Sequence, residues 1–327
     1  MLAYIQLKPF INRRSGHMHS IAPYSIRCFN PYSDPKKGEE RYAVLDKVGQ
    51  FDVYSVFKDF ISAQNDKFKI VEDSKQVYRF FGMKFYDDKR EMAGWFEAGS
   101  YGVKNDIIDI ETGNVDFQKA QNNAEIIKHY VRFYIPSGFD EGIVLLHNYK
   151  GNGIKTLLYE LLRENFTKVT KRTLQMNPLA YKKAFKMWEE AQAKEIKLTR
   201  FQGMADITDQ LTKLGHKEQQ LIVKSPVRGK LGGRLKDFFD PNSEEYAVVE
   251  FLRPHCGEVK AIAELNGKKR TFTIGRPAEE QVCEIMIEED EVDMVAGNPD
   301  PVSLHKWCTQ VLQEFVDSIY PGLQVKI

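Results

Sequence analysis

Residues 76–102 read QVYRFFGMKFYDDKREMAGWFEAGSYG. Gln76 to Phe85 and Glu91 to Ala98 are rich in aromatic and apolar residues, and the polar cluster Asp87-Asp88-Lys89-Arg90 parts them. Short apolar runs punctuated by Asp, Ser and Gly are the pattern of antiparallel strands joined by tight turns. With Lys69 to Val71 just upstream, they predict a meander. The Gly99-Ser100-Tyr101-Gly102 stretch closes a turn and leads into a further strand, Val103 to Ile110.

Before the meander the period is helical. Val53, Val56, Phe57, Phe60 and Ile61 predict an amphipathic helix over Phe51 to Ala63, with Asp52 as N-cap. Leu2 to Leu7 reads as a strand, and Asn12 to Pro35 as a long connection with room for one strand. After the meander the pattern predicts a helix over Phe117 to Lys128, strands His129 to Ile135 and Gly142 to Asn148, and a helix Ile154 to Asn165. A helix from Pro178 to about Lys194, a strand Glu195 to Phe201 and a short helix Asp206 to Leu214 follow. Ser225 to Leu235, with three Gly and a Pro, reads as a loop. Strands are expected at Tyr246 to Phe251, Glu258 to Leu265 and Arg270 to Ile274, the last two joined by an Asn266-Gly267 hairpin turn, and a closing helix at Val302 to Ser318. No internal repeat is present.

The 327 residues exceed what one core usually holds. The expected fold is therefore α+β, antiparallel sheet meanders with packed helices in two lobes: residues 1–115, mostly β with one helix, and residues 116–327, α+β with a basic loop at 213–236.

With 42% apolar and 28% charged residues the chain has the composition of a folded globular protein. Four cysteines (28, 256, 283, 308) lie far apart and read as reduced thiols, neither a zinc knuckle nor a disulfide scaffold. The amino terminus lacks the apolar core of a signal peptide, and the longest aliphatic stretch, Ile143 to Leu146, is too short to cross a bilayer. A cytoplasmic protein with no membrane insertion is expected.

The net charge of +1 hides strong poles. Arg163, Lys168, Lys171, Arg172, Lys182, Lys183 and Lys186 face one acid, Glu164; Lys213, Lys217, Lys224, Arg228, Lys230, Arg234 and Lys236 face only Glu218. From Glu279 to Asp300 every charge is negative. Lys and Arg that neutralise phosphates release counterions and bind duplex DNA without reading its sequence. The candidate phosphate contacts are Lys213, Lys217, Lys224, Arg228, Lys230, Arg234 and Lys236, joined by Lys168, Lys171, Arg172, Lys182 and Lys183. The plainer alternative is a solvated surface offset by the acidic segment.

Other constellations carry less. Gly151-Asn152-Gly153-Ile154-Lys155-Thr156 imitates a phosphate-binding loop, yet Ile154 and Tyr149 stand where it needs glycine, so a bend feeding a helix is expected. Glu195-Ile196-Lys197 and Glu258-Val259-Lys260 resemble the Glu and Lys of a metal-dependent nuclease, with Asp206, Asp240 or Glu250 as a further acid. His17 and His19 lack a third ligand of suitable spacing, and His129, His147, His255 and His305 are scattered. No catalytic, metal or cofactor signature emerges.

Ser55 to Gln64 (SVFKDFISAQ), Phe68 to Val71, the run Val77 to Phe85 and Trp95 to Val103 (WFEAGSYGV) together resemble the amino-terminal helix and meander of the RexA phage-exclusion family. The resemblance covers roughly the first half of the chain. It implies a homodimeric, non-enzymatic protein that binds duplex DNA without strong sequence preference in defence or exclusion against phage; a partner effector protein is a separate expectation. The longer Asn12 to Pro35 segment and more acidic tail depart from the family, and no DNA-contacting residue carries across by motif. A metal-dependent nuclease, and a protein-binding module using the acidic 279–300 segment, stand as alternatives.

Overall fold

A computed structural model describes residues 19–30, 33, 40–64, 67–179, 188–199, 220–224, 233–265, 268–274, 283–320, 322–323 and 325–327. In chain order the elements are β1 (His19–Phe29), β2 (Tyr42–Ala43), α1 (Val53–Ser62), β3 (Lys69–Val71), β4 (Gln76–Tyr86), β5 (Glu91–Ser100), β6 (Asn105–Ile108), β7 (Val115–Lys119), β8 (Glu125–Tyr134) and β9 (Glu141–Tyr149). They continue with α2 (Lys155–Thr170), β10 (Thr173–Pro178), β11 (Gln192–Thr199), β12 (Gln220–Lys224), α3 (Glu244–Leu252), β13 (Glu258–Leu265), β14 (Lys268–Ile274), β15 (Cys283–Met286), β16 (Met294–Val295), β17 (Asn298–Pro299) and α4 (Pro301–Ile319). This is an α+β chain. No helix among the described residues is long and apolar enough to cross a membrane.

The strands from Lys69 onward pair as the meander pattern requires. β3, β4 and β5 form successive antiparallel ladders, and β5 pairs next with β8 along its whole length. The sheet runs in the order β12-β11-β13-β14-β15-β1-β9-β8-β5-β4-β3. At β1 it forks. One edge of β1 holds β9, while β15 takes the other edge at Ser20 and Ile21 and β10 takes it from Tyr24 to Phe29.

Side chains alternate across a strand, and here both faces are covered. Ile21, Tyr130, Tyr134, Ile143 and Leu145 join a core with α4 and the inner sides of β11, β13 and β14. Ala22, Ile26, Val131, Phe133, Val144 and Leu146 join a second core with α1 and α2. Ile143 to Leu146 is aliphatic at every position because it feeds both.

The helices follow their caps. Asp52 accepts from the Tyr54 amide at 3.1 Å and starts α1, and Asp300 accepts from Val302 and Ser303 at the start of α4, which has Pro at its first position. The Gly151-Asn152-Gly153 stretch is the expected bend: Lys150 and Gly151 both take positive φ between bridged Tyr149 and Asn152.

Several expectations are corrected. Phe117 to Lys128 is not a helix: Phe117 lies in β7, and Glu125 to Lys128 belong to β8. The Asn123 side chain accepts from the Ala120 amide at 2.9 Å, making a turn, and the β5 ladder claims Ile126 and Ile127. Tyr246 to Phe251 is helix, not strand, because the Ser243 hydroxyl caps Tyr246 N–H at 3.0 Å and Glu244 and Glu245 fill the first turn. Pro178 ends β10, opposite Tyr24, instead of opening a helix, and Gln192 to Lys194 already lie in β11. β6 pairs with β7 in a separate two-stranded arm, so the strand after Gly102 does not widen the main sheet. The Asn12 to Pro35 connection contains β1, the strand at which the sheet forks. The strand at 2–7, the helix at 206–214, residues 180–187, residues 225–232 and the Asn266-Gly267 turn lie outside the described residues. Leu265 and Lys268, which flank that turn, are paired.

Candidate functional site

Of the candidate phosphate contacts, Lys182, Lys183, Lys213, Lys217, Arg228 and Lys230 lie outside the described residues. Lys224, Arg234 and Lys236 are brought to one edge of β11. Lys224 stands on β12 opposite Glu195, and Arg234 bridges Gln192 on the edge that β13 leaves open. Each also meets a carboxylate. Lys224 pairs with Glu195 at 3.2 Å, and Glu190 bridges Arg234 and Lys236. The Lys236 ammonium, with Arg234, holds the Glu190 carboxyl below its usual range. The Glu190 pairs are exposed, with half or more of the Arg234 and Glu190 side chains in solvent, whereas Glu195 is half-buried beside Lys224.

Lys168, Lys171 and Arg172 gather elsewhere, where α2 ends. Lys171 is the helix's left-handed C-cap (φ 57°), its ammonium donates to the Lys168 carbonyl at 3.0 Å, and Arg172 donates to the Asn30 amide oxygen at 2.7 Å. Cations at a helix carboxyl end also offset its dipole. The two groups occupy different elements.

The acidic segment is partly used by the fold. Glu284 accepts from Lys260 at 2.9 Å, Asn148 at 3.2 Å and Ser20 at 3.3 Å; burial pushes its pKa up, but Lys260 and these donors outweigh burial and leave it lowered. Glu291 accepts from the Trp307 indole, and Asp300 caps α4. Glu289 and Asp290 are exposed.

The two E-x-K triplets are neighbours, because β11 and β13 pair with Lys197 opposite Lys260. Both lysines point away from the α4 core, which takes Ile196, Leu198, Val259 and Ala261. No group of three His, Cys, Asp or Glu among the described residues could hold a metal ion. Cys28, Cys256 and Cys308 are free, and burial raises all three thiols.

The histidines give a result that spacing could not. His19, His129 and His147 converge from β1, β8 and β9, each under 5% exposed. His19 Nδ1 lies 3.0 Å from His147 Nε2, the rings stack with centroids 5.2 Å apart, and His129 Nδ1 donates to the His147 carbonyl at 2.8 Å. Burial lowers all three pKa values, and the neighbouring rings help take His147 to about 3. No signal in the sequence brings them together, because the meeting of His19 and His147 follows from the register that sets Ile21 opposite His147. Nearby, Arg132 pairs with Glu91 at 2.6 Å, both almost fully buried. No protein-family model and no curated protein matches this chain.

Proposed function

We propose that the chain is a non-catalytic protein that binds double-stranded DNA independently of sequence, as a cytoplasmic homodimer within a phage-defence or exclusion system. The observation that carries the DNA reading is the gathering of Lys224, Arg234 and Lys236 along one edge of β11. Exposed ion pairs are worth about 0–1 kcal/mol. A polyanion that releases counterions therefore displaces Glu190 at little cost. Lys168, Lys171 and Arg172 supply a second group of contacts. The defence role and the dimer rest on the resemblance to the RexA family, and the partner effector is part of the same reading.

Titration of a short labelled duplex across salt concentrations tests it. Wild-type affinity should fall steeply with salt and be the same for two unrelated duplexes. Lys224→Gln/Arg234→Gln/Lys236→Gln and Lys168→Gln/Lys171→Gln/Arg172→Gln should each flatten the slope by about 2–3. No duplex binding at low salt, or slopes unchanged in both triple variants, rejects the surface.

The nuclease alternative has its own test. Plasmid cleavage with magnesium or manganese, lost in Glu258→Gln, would replace the binding reading by the enzyme.

A further inference from the structure

The β6–β7 hairpin pairs only with itself. Ile107 stands opposite Phe117 and Ile108 opposite Val115, and neither strand joins another sheet. Its large apolar side chains are nevertheless in solvent: Ile107 is 52% exposed, Phe117 51% and Ile110, at the tip, 94%. A lone two-stranded hairpin is at best marginally stable in water and keeps its shape by packing an apolar face on something else. Among the described residues nothing covers that face.

Side chains alternate across a strand, so Asn105, Ile107, Phe117 and Lys119 share one face of the arm. Ile107 lies midway between the base, where Lys104 and Lys119 stand, and the tip, where Ile110 and Glu111 stand. The tip is held in shape by Asp109, whose carboxylate accepts from the Glu111 and Thr112 amides at 2.8 and 2.7 Å. Glu111 itself is exposed. A recess of about 600 Å³ at the base is lined by Lys104, Asn105, Asp106, Gln118, Lys119 and Ala120, two cations against one acid.

The arm is thus negative at its tip and positive at its base, with an apolar pair between them. Such a pattern is complementary to itself when turned end for end. A two-fold axis through the Ile107–Phe117 pair lays one arm antiparallel on another and carries each tip to the other's base. A polyanion does not fit, because Asp109 and Glu111 would face its phosphates. The facing surfaces would bury on the order of 1,000 Å², the low end for specific protein interfaces, so the association should reverse on dilution.

We propose that the β6–β7 arm is a dimerisation element: two copies of this chain stack their arms through Ile107 and Phe117, each Ile110 entering the other copy's basal recess and each Glu111 pairing with the other copy's Lys119. This assigns a surface to the homodimer proposed above and rests on that part of the reading alone; it does not require DNA binding.

Sedimentation velocity of the full chain over a wide concentration range tests the arm. The wild-type chain should be dimeric at the upper end and dissociate on dilution. Ile107→Ser/Phe117→Ser should raise the dimer dissociation constant on the order of tenfold or more, with an unchanged circular dichroism spectrum. Glu111→Lys and Lys119→Glu should each weaken dimerisation by about tenfold, and Glu111→Lys/Lys119→Glu should restore it. The charge series decides the matter if the serine variant loses the arm's shape. A dimer indifferent to the serine or the single charge variants, or a double reversal that fails to recover what the single changes lose, overturns the arm and leaves the homodimer standing. A chain that stays monomeric at every concentration overturns the homodimer itself, and the arm with it.

Discussion

Two buried charge arrangements dominate at the scale of single residues. Arg132, 3% exposed, pairs with Glu91, 1% exposed, and also donates to Thr309 on α4 at 2.6 Å, so the pair ties the sheet to its helix layer. Glu91→Gln leaves an uncompensated guanidinium in the core and should cost about 3–5 kcal/mol, whereas Glu91→Met/Arg132→Met should recover most of that loss; urea midpoints measure both. The histidine cluster makes stability depend on pH with a definite sign. His147 titrates near its ordinary 6.5 in the unfolded chain and at about 3 when folded, so the unfolded state binds the extra proton between those values. Stability is full above about 6.5 and falls as the pH drops toward 3, with His19 and His129, also lowered by burial, adding in the same direction. His147→Phe should flatten that slope when urea midpoints at neutral pH and about pH 5 are compared.

At the scale of elements, what was legible depended on whether local pattern and tertiary pairing agreed. α1, α2, α4 and the β3–β5 meander agreed: apolar spacing, with the Asp52 cap at α1, describes them without reference to the rest of the chain. At Tyr246 to Phe251 the β-branched pair Val248 and Val249 reads as strand, but the cap at Ser243 starts α3. Ser243→Ala should therefore cost about 1 kcal/mol and speed amide exchange across 244–252. In Phe117 to Lys128 the helical spacing was outweighed by an Asn-anchored turn and the waiting edge of β5.

For the molecule as a whole, burial on both faces sets where the fold is firmest. β1, β8 and β9 feed the two cores at alternate positions, whereas β12, at the end of the sheet, exposes Leu221, Ile222 and Val223, and the β6–β7 arm exposes Ile107, Ile108 and Phe117. Hydrogen exchange should be slowest in the central three strands and fast in β12 and the arm. The cationic surface belongs to this scale as well. Seven cations in one stretch of sequence announce a charge, but only the pairing of β11 with β12 and the Gln192–Arg234 bridge set three of them along one edge beside Glu190 and Glu195.

Sequence alone determined the α+β class, the antiparallel meander, the helices α1, α2 and α4 and the poles of charge, because period and turns are properties of a few neighbouring residues. Tertiary structure decided the fork at β1, the meeting of His19, His129 and His147, the Glu91–Arg132 pair and the partners of the lysines. Each of those joins strands through a register set by core burial across long stretches of chain, and no local pattern carries that register.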